Sequence, residues 1–229
     1  MSRTCSVGQL LESLSIVISK SKASKTSENP LQIDGGNPLD GVDDPEERKD
    51  LKTSLKLFTP SSGVGIVQEA VEKAFAALGN QDIDSLIIAY NDRSGTKTFL
   101  SNLEALWSVC EKYVEKGKVL RIGVSDVDTE DFISFYNNVK IKPSIVQINL
   151  SACCIVPPQL QEFTKQHDIQ LLTHNDPLEM LPDESFSQLF DSSDAKCRIT
   201  LSWAIRYQIH VKCRGVLCSK GYLISAQKI

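Results

Sequence analysis

Between Thr53 and Thr173, five short apolar runs alternate with four stretches in which apolar residues recur every three or four positions. The runs are Thr53–Phe58, Asp84–Tyr90, Val119–Val124, Ile145–Asn149 and Ile169–Thr173. Each is five to seven residues long and lacks strict alternation of polar and apolar residues, the pattern of a strand covered on both faces. The intervening stretches cover Val64–Leu78, Phe99–Lys116, Thr129–Asn138 and Pro157–His167. In the first of them Val67, Ala70, Val71, Ala74, Phe75 and Leu78 form one helical face, and Gly79 and Gly117 stand where two of the helices must stop. Repetition of this kind makes parallel βαβ units with right-handed crossovers. A further helix is predicted over Ala195–Tyr207 and a last strand over Val211–Leu217. The sum is an α/β fold with six strands after residue 50. A closed (β/α)8 barrel takes about 250 residues, so its first strands must come from the N-terminal stretch or be missing. A doubly wound open sheet is the alternative.

Residues 1–43 have a different character. Ser19–Ser27 is polar and low in complexity, and Asp34–Pro38 is dense in turn formers. Too little apolar surface is available there to offset the entropy of ordering, so much of the segment is expected to be mobile. Leu10–Ile18 could form one short element. Asp44-Pro45-Glu46-Glu47 reads as a helix start, which places the boundary of a domain over residues 44–229.

Charge and cysteine content narrow the function. With 25 Lys plus Arg against 29 Asp plus Glu, the net charge is −4. That balance excludes a nucleic-acid binder, which needs a basic field against phosphates. No apolar run approaches the ~18 residues of a membrane span. The seven cysteines contain no C-x-x-C pair and no neighbouring histidines, so neither a disulfide framework nor a zinc site is predicted. A reduced, cytoplasmic protein is expected.

Parallel α/β proteins carry their sites at the carboxyl ends of strands. Here no G-x-G-x-x-G or G-x-x-x-x-G-K-[ST] announces a nucleotide. The most polar strand end is His174-Asn175-Asp176-Pro177. One reading makes His174 an acid/base group oriented by Asp176. The other makes Asp176 the cap of a helix beginning at Pro177, and it explains more of the residues. Asp126 and Asp128 could pair as carboxylates, although capping the helix from Thr129 is their more ordinary role. The adjacent Cys153 and Cys154, before Pro157-Pro158, are either buried small side chains or an exposed redox contact. Cys213 and Cys218 bracket the last predicted strand and are assigned a structural role.

Arg121-Ile122-Gly123-Val124-Ser125-Asp126, followed by Ile141-Lys142-Pro143 and Gln147, resembles the aldo-keto reductase family over about Leu51–Gly221. The resemblance implies a (β/α)8 barrel of that type, incomplete or irregular at its N-terminus. Within it, Gln147–Pro158, Asp168–Pro177, Asp44–Arg48, Lys56–Phe58 and Val216–Tyr222 are similar to the regulatory (modifier) subunits of glutamate–cysteine ligase.

Reductases of this family use a Tyr held by Lys and Asp, with a His beyond. Lys56 matches the family Lys, but Ala89 stands where the His belongs, and the first Tyr of the chain is Tyr90. Ser125 and Gln147 match residues that hold the nicotinamide amide, while Asp126 replaces an Asn. The resemblance therefore implies a non-catalytic subunit that needs no cofactor or metal of its own. Its partner would be the ligase catalytic subunit, in a cytoplasmic heterodimer serving glutathione biosynthesis. There it would favour glutamate use and relieve feedback inhibition by glutathione. The strand-end loops are the expected contact surface: Asn149, Cys153, Cys154 and Pro157, then His174, Asn175 and Asp176. An NADPH-dependent reductase is the alternative.

Overall fold

The structure, a computed structural model, describes residues 31–33, 49–79, 82–91, 98–150, 155–177, 180 and 199–228. The expected alternation is present. Strand β2 (Leu51–Thr59) is followed by α1 (Val64–Ala77), β3 (Ile83–Tyr90), α2 (Phe99–Glu115), β4 (Val119–Ser125), α3 (Thr129–Asn138), β5 (Ile145–Asn149), α4 (Pro158–Gln166) and β6 (Gln170–His174). Strands β2 to β6 lie side by side and parallel. Gly79 and Gly117, at φ of 68° and 67°, close α1 and α2 in the left-handed conformation that glycine adopts without penalty. Asp128 stands at the N-terminus of α3, yet its side chain makes no capping bond there; its carbonyl accepts the Phe132 N–H instead.

Alternation along each strand divides the side chains between two layers. Leu55, Leu57, Leu86, Ile88, Val124 and Val146 meet Val67, Val71, Leu103, Trp107 and Phe132 in one apolar core. Trp107 is fully buried, donates its indole N–H to the Ile141 carbonyl at 2.9 Å and meets Phe135 edge-on at 5.1 Å. The opposite face carries Lys56 and Ser125, the chemically interesting residues.

The C-terminal third departs from the expected pattern. Residues 199–211 form strand β7 and residues 217–228 form β8, with a turn between them. The helix predicted over Ala195–Tyr207 is thus a strand in its described part, and the strand predicted over Val211–Leu217 is a hairpin turn. The reason lies in the period. Leu201, Trp203, Ile205, Tyr207 and Ile209 alternate strictly and are all buried, which a strand can satisfy and a helix cannot. Cys213 and Cys218 are exposed free thiols flanking that turn, so they carry no packing role.

Strand β7 pairs antiparallel with β2, β8 with β7, and the short β1 (Leu31–Ile33) with β8. The resulting eight-stranded order is β1-β8-β7-β2-β3-β4-β5-β6. The second half is therefore an antiparallel meander in place of further βα repeats. Strand β2 and the edge strand β6 would stand about 19 Å apart in a flat sheet, at about 4.8 Å per strand. Yet Lys56 of β2 bonds Asp176, two residues beyond β6, at 2.8 Å. Such a contact requires the sheet to curl towards closure, as a barrel does.

Candidate functional site

Lys56 lies near the carboxyl end of β2, buried, with its Nζ 2.8 Å from both the Asp176 carboxylate and the Ser125 hydroxyl. Register places Arg206 of β7 directly opposite Lys56. Like charges facing each other across a strand pair are destabilising, and the Asp176 carboxylate, bonded to Lys56 and Arg206 alike, offsets that repulsion. The Phe58 ring lies 5.2 Å from Lys56 Nζ and 5.7 Å from the Arg206 guanidinium. Burial is the largest influence on Lys56 and lowers its pKa, opposed by Asp176. Burial also acts to raise the pKa of Asp176, but the His174 hydrogen bond and the charges of Lys56 and Arg206 outweigh it and hold the carboxyl far below its ordinary range.

His174, the last residue of β6, completes the cluster. Its Nε2 lies 2.9 Å from Asp126 Oδ1 and 3.0 Å from Ser125 Oγ, and its Nδ1 lies 3.1 Å from both the backbone nitrogen and the carboxylate of Asp176. Burial disfavours the imidazolium, yet the bonds to Asp126 and Asp176 prevail and raise the pKa. Asp126 is held below the carboxylate range because its bond to His174 outweighs its own burial. Asp126 adopts φ of 62°, a region that only Gly, Asn and Asp visit readily, which accounts for an acid where the family has an Asn.

Ser125, His174 and the two aspartates have the residue types of a nucleophile triad but not its proton arrangement. Nε2 faces the Asp126 carboxylate, an acceptor only, so it carries a proton to bond there and has no lone pair to receive the serine proton. Ser125 accepts from Lys56 and donates to Asp126 Oδ2 at 2.8 Å, and it is 1% exposed. His174 therefore does not activate it.

The expected residues thus come together only in part. Lys56, Ser125, Asp126, His174 and Asp176 form one network, and Asn149 joins it by donating to the Asp176 carbonyl at 2.7 Å. The carboxylate of Asp176 bonds Lys56 and Arg206, and the helix expected from Pro177 lies outside the described residues. Asn149, His174 and Asp176 face inward, whereas Asn175 is exposed and Pro157 half-buried. Cys153, Cys154 and the helix start at Asp44–Arg48 lie outside the described residues. Arg206 escaped the sequence reading because it sat in a stretch taken for a helix; the alternation that betrays β7 was the available signal. Above the network, a cavity of about 200 Å³ is lined by Phe58, Ala89, Tyr90, Asn149, Met180 and Leu201 among others. Among the described residues, no group of His, Cys, Asp and Glu could hold a metal ion.

The residues expected to hold a nicotinamide amide, the group this fold family uses, are largely engaged with one another. The hydroxyl of Ser125 and both oxygens of Asp126 are already bonded within the network. Of the expected amide-holding set, Gln147 alone presents a buried oxygen without a partner.

Residues 40–180 match the aldo/keto reductase family, which defines the class of fold and site. A 9,11-endoperoxide prostaglandin H2 reductase from Trypanosoma cruzi is 28% identical, over 54% of this chain and 41% of its own length. An aldo/keto reductase structure from Brucella melitensis is 22% identical with a TM-score of 0.45, covering 59% of this chain and 50% of that one. The glutamate–cysteine ligase regulatory subunit of Homo sapiens is 39% identical over 189 residues, 80% of this chain and 69% of the human protein. That of Mus musculus is 38% identical over the same shares. The chain belongs to the glutamate–cysteine ligase regulatory subunits, within the aldo/keto reductase family.

Proposed function

We propose that this chain regulates without turning over a substrate: it binds the catalytic subunit of glutamate–cysteine ligase, favours glutamate use and relieves inhibition by glutathione. The observation that carries the reading is the state of Lys56. The group that would support carbonyl chemistry is locked between Asp176 and Ser125, and the neighbouring strand offers Ala89 in place of the family His. A developing oxyanion would meet neither the Tyr nor the His of the family arrangement, and losing one such donor typically costs about 2.7–4 kcal/mol of barrier. The relatives named as regulatory subunits support the same reading.

Regulation of this kind is linkage. The subunit must bind one conformation of the ligase more tightly than another, and coupling of about 1–3 kcal/mol changes apparent affinities roughly 5–150-fold. The loops after β5 and β6 are the proposed contact surface, where Ile155 is 73% exposed and Asn175 is exposed. The test mixes the chain with a cognate catalytic subunit and measures glutamate saturation with and without glutathione. A lower half-saturation and weaker inhibition are expected; identical curves for a verified complex would rule the reading out.

A further inference from the structure

Charge is segregated along this chain. Residues 199–229 contain five basic residues and none of the 29 acidic ones. One of the five, Arg206, is engaged with Asp176 inside the sheet. Three others, Lys212, Arg214 and Lys220, gather around the tip of the β7–β8 hairpin, all exposed. Between them stand Val216 and Leu217, 54% and 41% exposed. A tip that served only to reverse the chain would have no use for two apolar side chains in water.

The tip is also built to hold its shape. The Val211 N–H donates to the Val216 carbonyl at 2.9 Å, and the Gly215 N–H to the Val211 carbonyl at 2.8 Å. Gly215 sits at φ of 61°, as such a turn requires. Lys212 fastens the tip to the chain entering β2, donating its N–H to the Asp50 carbonyl at 2.7 Å and its Nζ to the Lys49 carbonyl at 2.8 Å. A surface fixed in advance loses little conformational entropy when a partner arrives.

We propose that this hairpin tip is a docking surface for an acidic, apolar-bearing surface of the ligase catalytic subunit, a proposal that rests on the regulatory reading above. Charge complementarity selects an acidic occupant, and the interleaved Val216 and Leu217 select a protein. A nucleic acid would meet too narrow a basic field on a chain of net charge −4. A second copy could also offer acidic residues, and self-association is therefore one of the outcomes of the test. The tip lies beside the start of β2, where Leu51 pairs with Val211, at the end of that strand away from Lys56 and Asp176. It therefore adds a contact independent of the strand-end loops.

The test titrates the full chain into the catalytic subunit by calorimetry at low and moderate salt, with two variants. Arg214→Glu/Lys220→Glu, which leaves the Lys212 fastening in place, is expected to weaken binding at least about tenfold and to reduce its salt dependence, as loss of steering charges does. Val216→Ser/Leu217→Ser is expected to weaken binding about tenfold while keeping the salt dependence, through lost apolar burial. Both pairs are exposed, so an unchanged thermal transition verifies folding. Unaltered affinity in both folded variants overturns the docking surface and leaves the regulatory reading standing. Absence of any complex with the unaltered chain overturns both. Loss in the variants of self-association, or of binding to a single-stranded RNA, with affinity for the catalytic subunit unchanged, overturns the proposal in favour of those occupants.

Discussion

Lys56 Nζ and the Asp176 carboxylate meet at 2.8 Å across 120 residues of chain, joining β2 to the loop beyond β6. The strands they adjoin, β2 and β6, are four positions apart in the sheet order, and both side chains are buried. Their ion pair, extended by Arg206, is a clasp across the mouth of the curled sheet. It occupies the place where the fold family does chemistry.

Removing one side of a buried pair leaves the other charge without compensation. Asp176→Asn is therefore expected to destabilise the chain by about 3–5 kcal/mol. Lys56→Met in that background is expected to recover more than half of the loss, because an apolar side chain of similar length removes the stranded cation. Urea unfolding of the two single variants and the double variant gives the coupling directly. Additive losses would show that the contact contributes nothing as a pair.

Stability should respond to pH in two windows of opposite sign. Asp176 and Asp126 have folded-state pKa values below their unfolded ones. Their contribution is present above the ordinary carboxylate pKa of about 3.9 and is lost as pH falls below it. His174 has a folded-state pKa above its unfolded one. Its contribution is full below about pH 6.5 and disappears as pH rises through the folded value. Unfolding midpoints should therefore decline from pH 6 towards pH 8, and His174→Gln should flatten that decline and also shrink the acid limb, because bonds from His174 help hold both carboxyls down. A midpoint that climbs with pH across this window would contradict the assignment.

The parallel half of the fold was legible because each strand is a short apolar run and each helix has a face and a stop. Val67 to Phe75, Gly79 and Gly117 carry that information locally. The antiparallel half was less legible. Leu201, Ala204 and Ile205 fit a helical face well enough to mask the two-residue period running from Leu201 to Ile209. The clasp was out of reach of local reading altogether. Asp176 beside Pro177 has the letters of a helix cap, and only the register of β2 against β7 and the curl of the sheet bring Lys56 and Arg206 to it. Lys56, Ser125 and Asp126 were recognised through resemblance, which located them without revealing that they bond one another.

Gly123 in β4 faces Ile145 of β5, its register partner, so closely that an added Cβ would stand 2.5 Å from the Ile145 carbonyl oxygen and 2.7 Å from its Cβ. Backbone cannot swing aside as a flexible side chain can. Gly123→Ala should force β4 and β5 apart beside Ser125 and cost about 1–3 kcal/mol, the usual penalty of overpacking. Gly65→Ala, which meets nothing within 4 Å in helix α1, should instead be neutral or stabilising. Denaturation of the two variants side by side separates strain at the strand pair from a general effect of losing glycine. Equal stabilities would mean that the strands separate freely.

Ala89 permits a direct test of whether chemistry was lost at one position or in the whole cluster. It lines the cavity and pairs in register with Phe58, two residues from Lys56. Ala89→His would restore one imidazole of the family arrangement. Lys56 would remain bonded to Asp176 and Ser125, and a proton donor for the carbonyl oxygen would still be lacking, a deficit of about 10²–10³ in rate for each missing donor. The variant is therefore expected to reduce no aldehyde above the uncatalysed background when supplied with NADPH, measured by the loss of cofactor absorbance. Opening the clasp as well, with Ala89→His and Asp176→Asn together, frees Lys56 but still supplies no acid and should be equally silent. Saturable turnover in either variant, abolished by Lys56→Met, would mean that the reductase function had been lost at a single site, and the regulatory role would then have to be argued from binding alone.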